Sequence, residues 1–472
     1  MLFHNQAEEN TLSPLRGVKN FPLTVYNLHA RREVLSETKA LASYVVSNRY
    51  EDMPADVTHE AKRALLNFVG CAIGGSREPA VETAIRALDP FSGERTASLL
   101  ARRERFDPLY ASVINGISGH VFEYDDTTPM NYIHPTPPVA SALFAYASAN
   151  SVSGREFLHA FLMGFEVESR IGNAVYPAHY NAGWHITATA GVFGAAAAIG
   201  KLLRLSTQEM IWALGLAATQ ASGLREMFGS MAKSFHAGHA ARNGYLSAVL
   251  AKSGFTAGVH GIEGARGFAP VVASQYDLSK ITAGLGEDFQ IRYNTYKPYP
   301  CGIVVQPTID GCIDIHREYK PASDAIRAVR VRVAPLVLDL CNKRDITQGL
   351  DSKYSIYHAA ALGLVRGKAG ILEFTDEAVN DPAIKRVRER VTPIGDPAIT
   401  EDQSDIEVEL ANGNVLHHFV ECSLGNLKKP LSDRQLEEKF RDQSGPQADV
   451  IRLCWNLDQL ENVSELVSAT WS

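Results

Sequence analysis

"TATAGVFGAAAAIGKLLRLSTQEMIWALGLAATQASGL", residues 187–224, is the stretch that decides the fold. Its apolar residues recur at helical spacing. Ser206 followed by Glu209 makes a capping box that starts a second helix within it. Alanine and glycine are so dense here that neighbouring helices must approach closely, leaving little room for polar groups. The same period extends toward the N-terminus. "SETKALASYVVSNRY" (36–50) carries Glu37 in the first turn behind Ser36. "DVTHEAKRALLNFVGCAIGG" (56–75) sets Ala61, Leu65, Phe68 and Val69 on one face and stops at Gly74 and Gly75.

Near residue 290 the period changes. "AIRAVRVRVAP" (325–335) alternates charge with valine, as a half-buried strand does. "SDIEVELANGNVLHHFVEC" (404–422) holds two alternating runs joined by Asn412 and Gly413, a hairpin signal. The last segment is helical again. The expected fold is mainly α with an inserted α+β domain. It divides into a flexible leader (1–35), a large helical domain (36–285), a smaller α+β lid (286–424) and a helical tail (425–472) that returns to the helical domain.

Composition narrows the function. The chain is 45% hydrophobic and 21% charged, with a formal net charge of −7. It has no basic field for phosphate backbones, so nucleic acid is not an expected partner. The longest apolar run, 188–200, is too short and glycine-rich to span a bilayer. Six cysteines (71, 301, 312, 341, 422 and 454) form no C-x-x-C pair, so spacing signals neither a zinc ribbon nor an iron–sulfur cluster. Scattered cysteines and an acidic N-terminus without a signal-peptide pattern point to the cytoplasm, and suit the mitochondrion also.

Four polar islands interrupt the helices. In "HVFEYDDTTPMNYIHPTPPVASALFAYA" (120–147), Glu123, Asp125, Asp126 and Thr127 precede His134 and a helix expected to begin near Pro138. That helix start offers free N–H groups to a substrate carboxylate; the plainer reading makes the acids turn and cap residues. His185 stands directly before the alanine-rich helix, where a hydrogen-bonded structural histidine is the plainer reading. Lys233, His236, His239 and Arg242 lie three apart in "GSMAKSFHAGHAARNG" (229–244), a cationic stripe suited to a polycarboxylate. "YKPYPCGIVVQPTIDG" (296–311) and "DSKYSIYHAAALGL" (351–364) contribute Lys297, Lys353, Tyr354 and Tyr357, tyrosine being by itself more often a packing residue.

Taken in order, "EYDDT" with a following "HP", "GWH…G…GAAAA", "ALGLAATQASGL", "GSMAKSFHAGHAARNG", "GFTAG…EGARGF" and "KPYPCG" resemble the MmgE/PrpD family, from about residue 36 to the tail. That family contains 2-methylcitrate dehydratase, cis-aconitate decarboxylase and iminodisuccinate epimerase. The resemblance implies a homodimer of helical domain plus lid, no metal or organic cofactor, and an active site between the domains. It implies catalytic roles for His134, His185, Lys233 and a lid tyrosine, matched to Tyr357 with Tyr354 as the slipped alternative. Glu123, Asp125, Asp126, Thr127, His236, Arg242, Lys297 and Lys353 are then candidates for substrate binding. Two departures stand out: Glu123 where many members have aspartate, and Gln306 where many have histidine.

These parts imply a cofactor-free hydro-lyase dehydrating a citrate-type tricarboxylate, 2-methylcitrate or a longer 2-alkylcitrate. His134 and Tyr357 act as the acid–base pair, with Lys233 and Arg242 on the carboxylates. Decarboxylation of cis-aconitate to itaconate is the alternative. Iminodisuccinate epimerisation and a non-catalytic carboxylate-binding homologue follow.

Overall fold

The helical period of the N-terminal half becomes a layered bundle in the computed structural model, which describes residues 36–471. The expected leader, 1–35, lies outside the described residues. The longer helices are α1 (Glu37–Ser47), α2 (Ala55–Gly75), α3 (Pro108–His120), α4 (Thr136–Ala149), α5 (Gly154–Val175), α6 (Ile186–Leu202), α7 (Thr207–Ala218), α8 (Met231–Lys252), α9 (Gln306–Tyr319), α10 (Ile356–Arg366) and α11 (Asp433–Ser444). The box predicted at Ser206 is present at the start of α7.

Helix α6 lies between α5 and α8, and α8 packs in turn on α3 and α4. Glycine sets these distances. A Cβ added at Gly116 of α3 would fall 2.4 Å from the Gly238 Cα of α8, and one at Gly244 would fall 2.5 Å from the Val192 carbonyl oxygen of α6. Both approaches bring backbone to backbone, the closeness that the alanine and glycine density requires.

Two apolar cores result. The helical core runs from Leu41 to Tyr296 and takes in Leu431 to Val467, so the tail packs back onto the bundle. The second core, Cys301 to Val408, lies under a four-stranded sheet. Strand β1 (Asp126–Thr127) pairs antiparallel with β2 (Thr295–Tyr296) and ties the acid-rich loop to the start of the second core. The sheet itself has β3 (Ile326–Val333), β4 (Val391–Gly395), β5 (Ser404–Leu410) and β6 (Val415–Val420) in the order β4-β3-β5-β6. Three of these are the alternating runs of the sequence. β4 is the addition, parallel to β3, with Pro393 tolerated because the strand lies at the sheet edge. The chain is thus mainly α with an α+β part.

One helix start differs from expectation. α4 begins at Thr136, two positions before Pro138, because proline fits the first helical turn. Among the described residues no helix is long and apolar enough to cross a membrane.

Candidate active site

After α3 the chain turns sharply. Glu123, with φ at 56°, adopts the left-handed conformation there and sends the loop back toward β1. The starts of α6 and α8 come up beside this loop, and β2 with the turn before α10 closes over it. Between them lies a small cavity. Of the residues the sequence singles out, Glu123, Thr127, His134, His185, Lys233 and Lys297 line it. Tyr132, Tyr180, Phe228 and Tyr354 supply aromatic wall.

A three-membered charge cluster sits on its floor. Lys233 Nζ pairs closely with one Glu123 carboxylate oxygen, and Lys297 Nζ lies 3.5 Å from the other and 3.3 Å from the Glu123 carbonyl. Burial alone would raise the Glu123 carboxyl, but the two ammonium groups outweigh it and hold it well below the usual carboxylate range. Burial works on Lys233 in the other direction and lowers it despite Glu123. Two lysines against one carboxylate leave the pocket cationic.

The imidazoles are held neutral. His134 Nδ1 lies 2.9 Å from the Asp126 carbonyl, 3.0 Å from Thr127 Oγ1 and 3.3 Å from Asp125 Oδ2. The carbonyl can only accept, so the proton is assigned to Nδ1 and the lone pair to Nε2, which faces Lys233 Nζ at 3.5 Å. Burial first, and Lys233 next, push the His134 ring well below the ordinary histidine range. His185 is lowered in the same way, by burial and Lys233. Its Nδ1 lies 2.8 Å from His236 Nδ1, and its buried Nε2 has no partner among the described residues.

Sequence reasoning missed His120. It closes α3, lies 2.7 Å through Nδ1 from Asp125 Oδ2, and meets the His134 ring edge-on at 4.8 Å, its own Nε2 unpartnered among the described residues. Asp125 therefore bridges two imidazoles, an arrangement whose one sequence trace is a histidine five positions before an aspartate.

Several expected site residues take other places. Tyr354, not Tyr357, faces the cavity, its ring stacked on Phe228 and its hydroxyl against Glu123 without full hydrogen-bond geometry. Tyr357 donates instead to Asn342 Oδ1 at 2.9 Å, under Arg344. Arg242 lies over Tyr110, away from the pocket, because the stripe on α8 climbs about 1.5 Å per residue and the cavity meets only its first turn. His236 stands behind His185. Lys353 donates to the carbonyls of Phe122 (2.7 Å) and Pro300 (3.1 Å), stitching the two parts of the chain together. Asp126 accepts from Thr136 Oγ1 and from Asn294 Nδ2 at 2.8 Å, and burial raises it to about 7. Gln306 bonds Tyr299 and Cys301 in the turn it follows, a shaping role without proton transfer. The start of α4 offers no carboxylate cradle, since Pro137 and Pro138 have no N–H and neither lines the cavity.

His120, His134 and His185 each present a nitrogen within 4.8 Å of the others, a donor set a metal ion could use. Lys233, at hydrogen-bonding range of His134 Nε2, places a cation at that same spot, so the arrangement suits an anion better.

Fold and site define a mainly helical protein with a buried, cation-floored pocket at the contact of two cores. The chain belongs to the MmgE/PrpD family: residues 39–280 match its N-terminal domain and 299–452 its C-terminal domain. Among its relatives are a cis-aconitate decarboxylase-like protein of Aspergillus oryzae, 28% identical over 91% of this chain and 96% of its own. A cis-aconitate decarboxylase of Aspergillus terreus is 27% identical over 88% and 92%. A 2-methylcitrate dehydratase of Cupriavidus necator is 24% identical over 83% and 87%. These relatives are lyases, and the chain is an enzyme of the MmgE/PrpD type.

Proposed function

We propose that the protein is a lyase for a tricarboxylate of the cis-aconitate type and that its first reaction is decarboxylation. The observation that carries this reading is the balance of the pocket, which is richer in proton donors than in bases. His134 and His185 are neutral and hard to protonate, hence weak bases toward a C–H beside a carboxylate. Lys233, lowered by burial, is a readier acid than a free lysine. Decarboxylation needs the acid and no base.

In this scheme substrate carboxylates lie on Lys297, the Thr127 and Tyr354 hydroxyls and the His185 Nε2 that has no partner among the described residues. The C–C bond to one carboxylate breaks, carbon dioxide leaves, and the electron pair stays on carbon, spread into a neighbouring carboxylate that Lys297 stabilises. Lys233, steered by His134 Nε2 and Glu123, gives its proton to carbon and regains one from water. One proton is consumed and one carbon dioxide released per turnover.

A second reading, dehydration of a citrate-type acid, draws on the His134 tautomer, which leaves a lone pair at Nε2 as base while Tyr354 or Lys233 protonates the departing hydroxyl. Purified protein incubated with cis-aconitate, citrate and 2-methylcitrate, with products read by mass, tests both. Loss of 44 mass units (a carboxyl's carbon dioxide, about 44) from cis-aconitate supports the first. Loss of water alone supports the second, and no change in any of the three overturns the proposal. We also propose a homodimer: Met231, Phe235 and Val249 leave an exposed apolar stripe along α8, extended by Phe255. A monomer in sedimentation would rule that out.

A further inference from the structure

The helical tail carries a cation to the acid-rich loop of the site. Helix α11 lies tightly against α2, because α2 presents glycine at the contact. A Cβ added at Gly70 would fall 2.8 Å from the Phe440 ring, and one at Gly74 would fall 2.8 Å from the Gln443 carbonyl oxygen. Docked this closely, α11 buries Lys439, which is 6% exposed. The Lys439 Nζ donates to the Tyr124 carbonyl at 2.6 Å and stands 4.1 Å from the centre of the Tyr124 ring. Burial pushes the ammonium down to about 8, with Asp125 and Asp126 among the groups that resist the shift. A buried ammonium is expensive, and the apolar contact at Phe440 docks the tail without it.

The bond lands at a decisive peptide. On one side of Tyr124, Glu123 turns to Lys233 and Lys297; on the other, Asp125 Oδ2 meets Nδ1 of both His120 and His134. Asp125 Oδ1 is unpartnered among the described residues, so the carboxylate has little else to aim it. The peptide joining Tyr124 to Asp125 is planar, and fixing its oxygen fixes the direction in which Asp125 leaves the chain. The Tyr124 hydroxyl donates to the Pro298 carbonyl at 2.8 Å, one position after Lys297, and steadies the other end of the residue.

We propose that Lys439 is a positioning residue of the active site: it holds the Tyr124 carbonyl so that Asp125 bridges His120 and His134 and leaves His134 Nε2 toward Lys233. Lys439 itself does not line the cavity. The inference rests on the proposed function and adds to it a residue of the tail that never touches substrate.

The experiment compares the wild type with Lys439→Met, Lys439→Gln and Phe440→Leu. It reads thermal melts, kcat and KM on cis-aconitate, and the low-field proton resonances of the imidazoles bonded to Asp125. Lys439→Met is expected to fold, to lower kcat at least about tenfold and to keep KM within about twofold, with its low-field resonances shifted or lost. Lys439→Gln offers a shorter, neutral donor, so it loses less and keeps the test open should the methionine variant misfold. Phe440→Leu loosens only the packing of the tail: Tm falls, while kcat per folded molecule and the resonances stay. Wild-type kcat, or unmoved resonances, in the Lys439 variants makes the lysine a packing residue and overturns the inference. An equal kcat loss in Phe440→Leu overturns it too, because tail docking would then account for the effect. A wild type that turns over no tricarboxylate defeats the proposed function, and the resonances alone then decide the inference.

Discussion

Tyr354→Phe and Tyr357→Phe remove the same atom from residues three apart, and the structure predicts opposite consequences. The Tyr357 hydroxyl donates to Asn342 Oδ1 at 2.9 Å, so its loss leaves a carbonyl oxygen short of a donor. That costs about 1–2 kcal/mol, or about 2 °C in Tm for a chain of this size, with turnover per folded molecule unchanged. The Tyr354 hydroxyl is buried without a full hydrogen bond, so removing it relieves an unsatisfied group and leaves Tm level or slightly raised. Burial and the Glu123 charge keep that hydroxyl protonated, ready to donate to substrate. Its removal therefore lowers kcat/KM about a hundredfold, close to 2.7 kcal/mol of transition-state stabilisation. Thermal melts beside steady-state kinetics on cis-aconitate, followed by carbon dioxide release, read both numbers. A Tyr357→Phe enzyme that melts normally but has lost turnover, beside a fully active Tyr354→Phe, would refute the placement.

Asp126 carries a pH signature. Its folded value near 7 stands above the ordinary 3.8, so between these limits the folded state holds a proton that the unfolded state releases, and stability falls as pH rises through that window. Asp126→Asn removes this contribution: its melting temperature should gain on the wild type from pH 5 to pH 8, and a parallel pair of pH curves would contradict it. Exhaustive chelation should leave activity intact, because Lys233 sets a cation 3.5 Å from the His134 nitrogen that a metal would need. Activity lost to chelator and restored by zinc would show that the histidines serve a metal.

Much of the chemistry was legible along the chain. His134, His185 and Lys233 each stand at the edge of an apolar helix where a polar group is costly without a purpose, and all three reach the cavity. Tyr354 and Tyr357 lie three apart in one short segment; α10 begins at Ile356, so Tyr354 sits in the preceding turn and points elsewhere. His120 escaped notice because a histidine at the end of a helix is unremarkable until the chain folds back and brings Asp125 against it.

What the sequence by itself determined is local and periodic. The helical spacing of residues 36–285, the small residues that let α3, α6 and α8 touch, the alternation of β3, β5 and β6, and the stock of acids, lysines and imidazoles all follow from neighbours a few positions apart. Only the tertiary structure decided which of those groups share one dry volume. Glu123, Lys233 and Lys297 are up to 174 positions apart, yet their charges are set by mutual distances of a few ångströms and by the water excluded between them. Coulomb energy and desolvation depend on separation in space, which hydrophobic period does not encode.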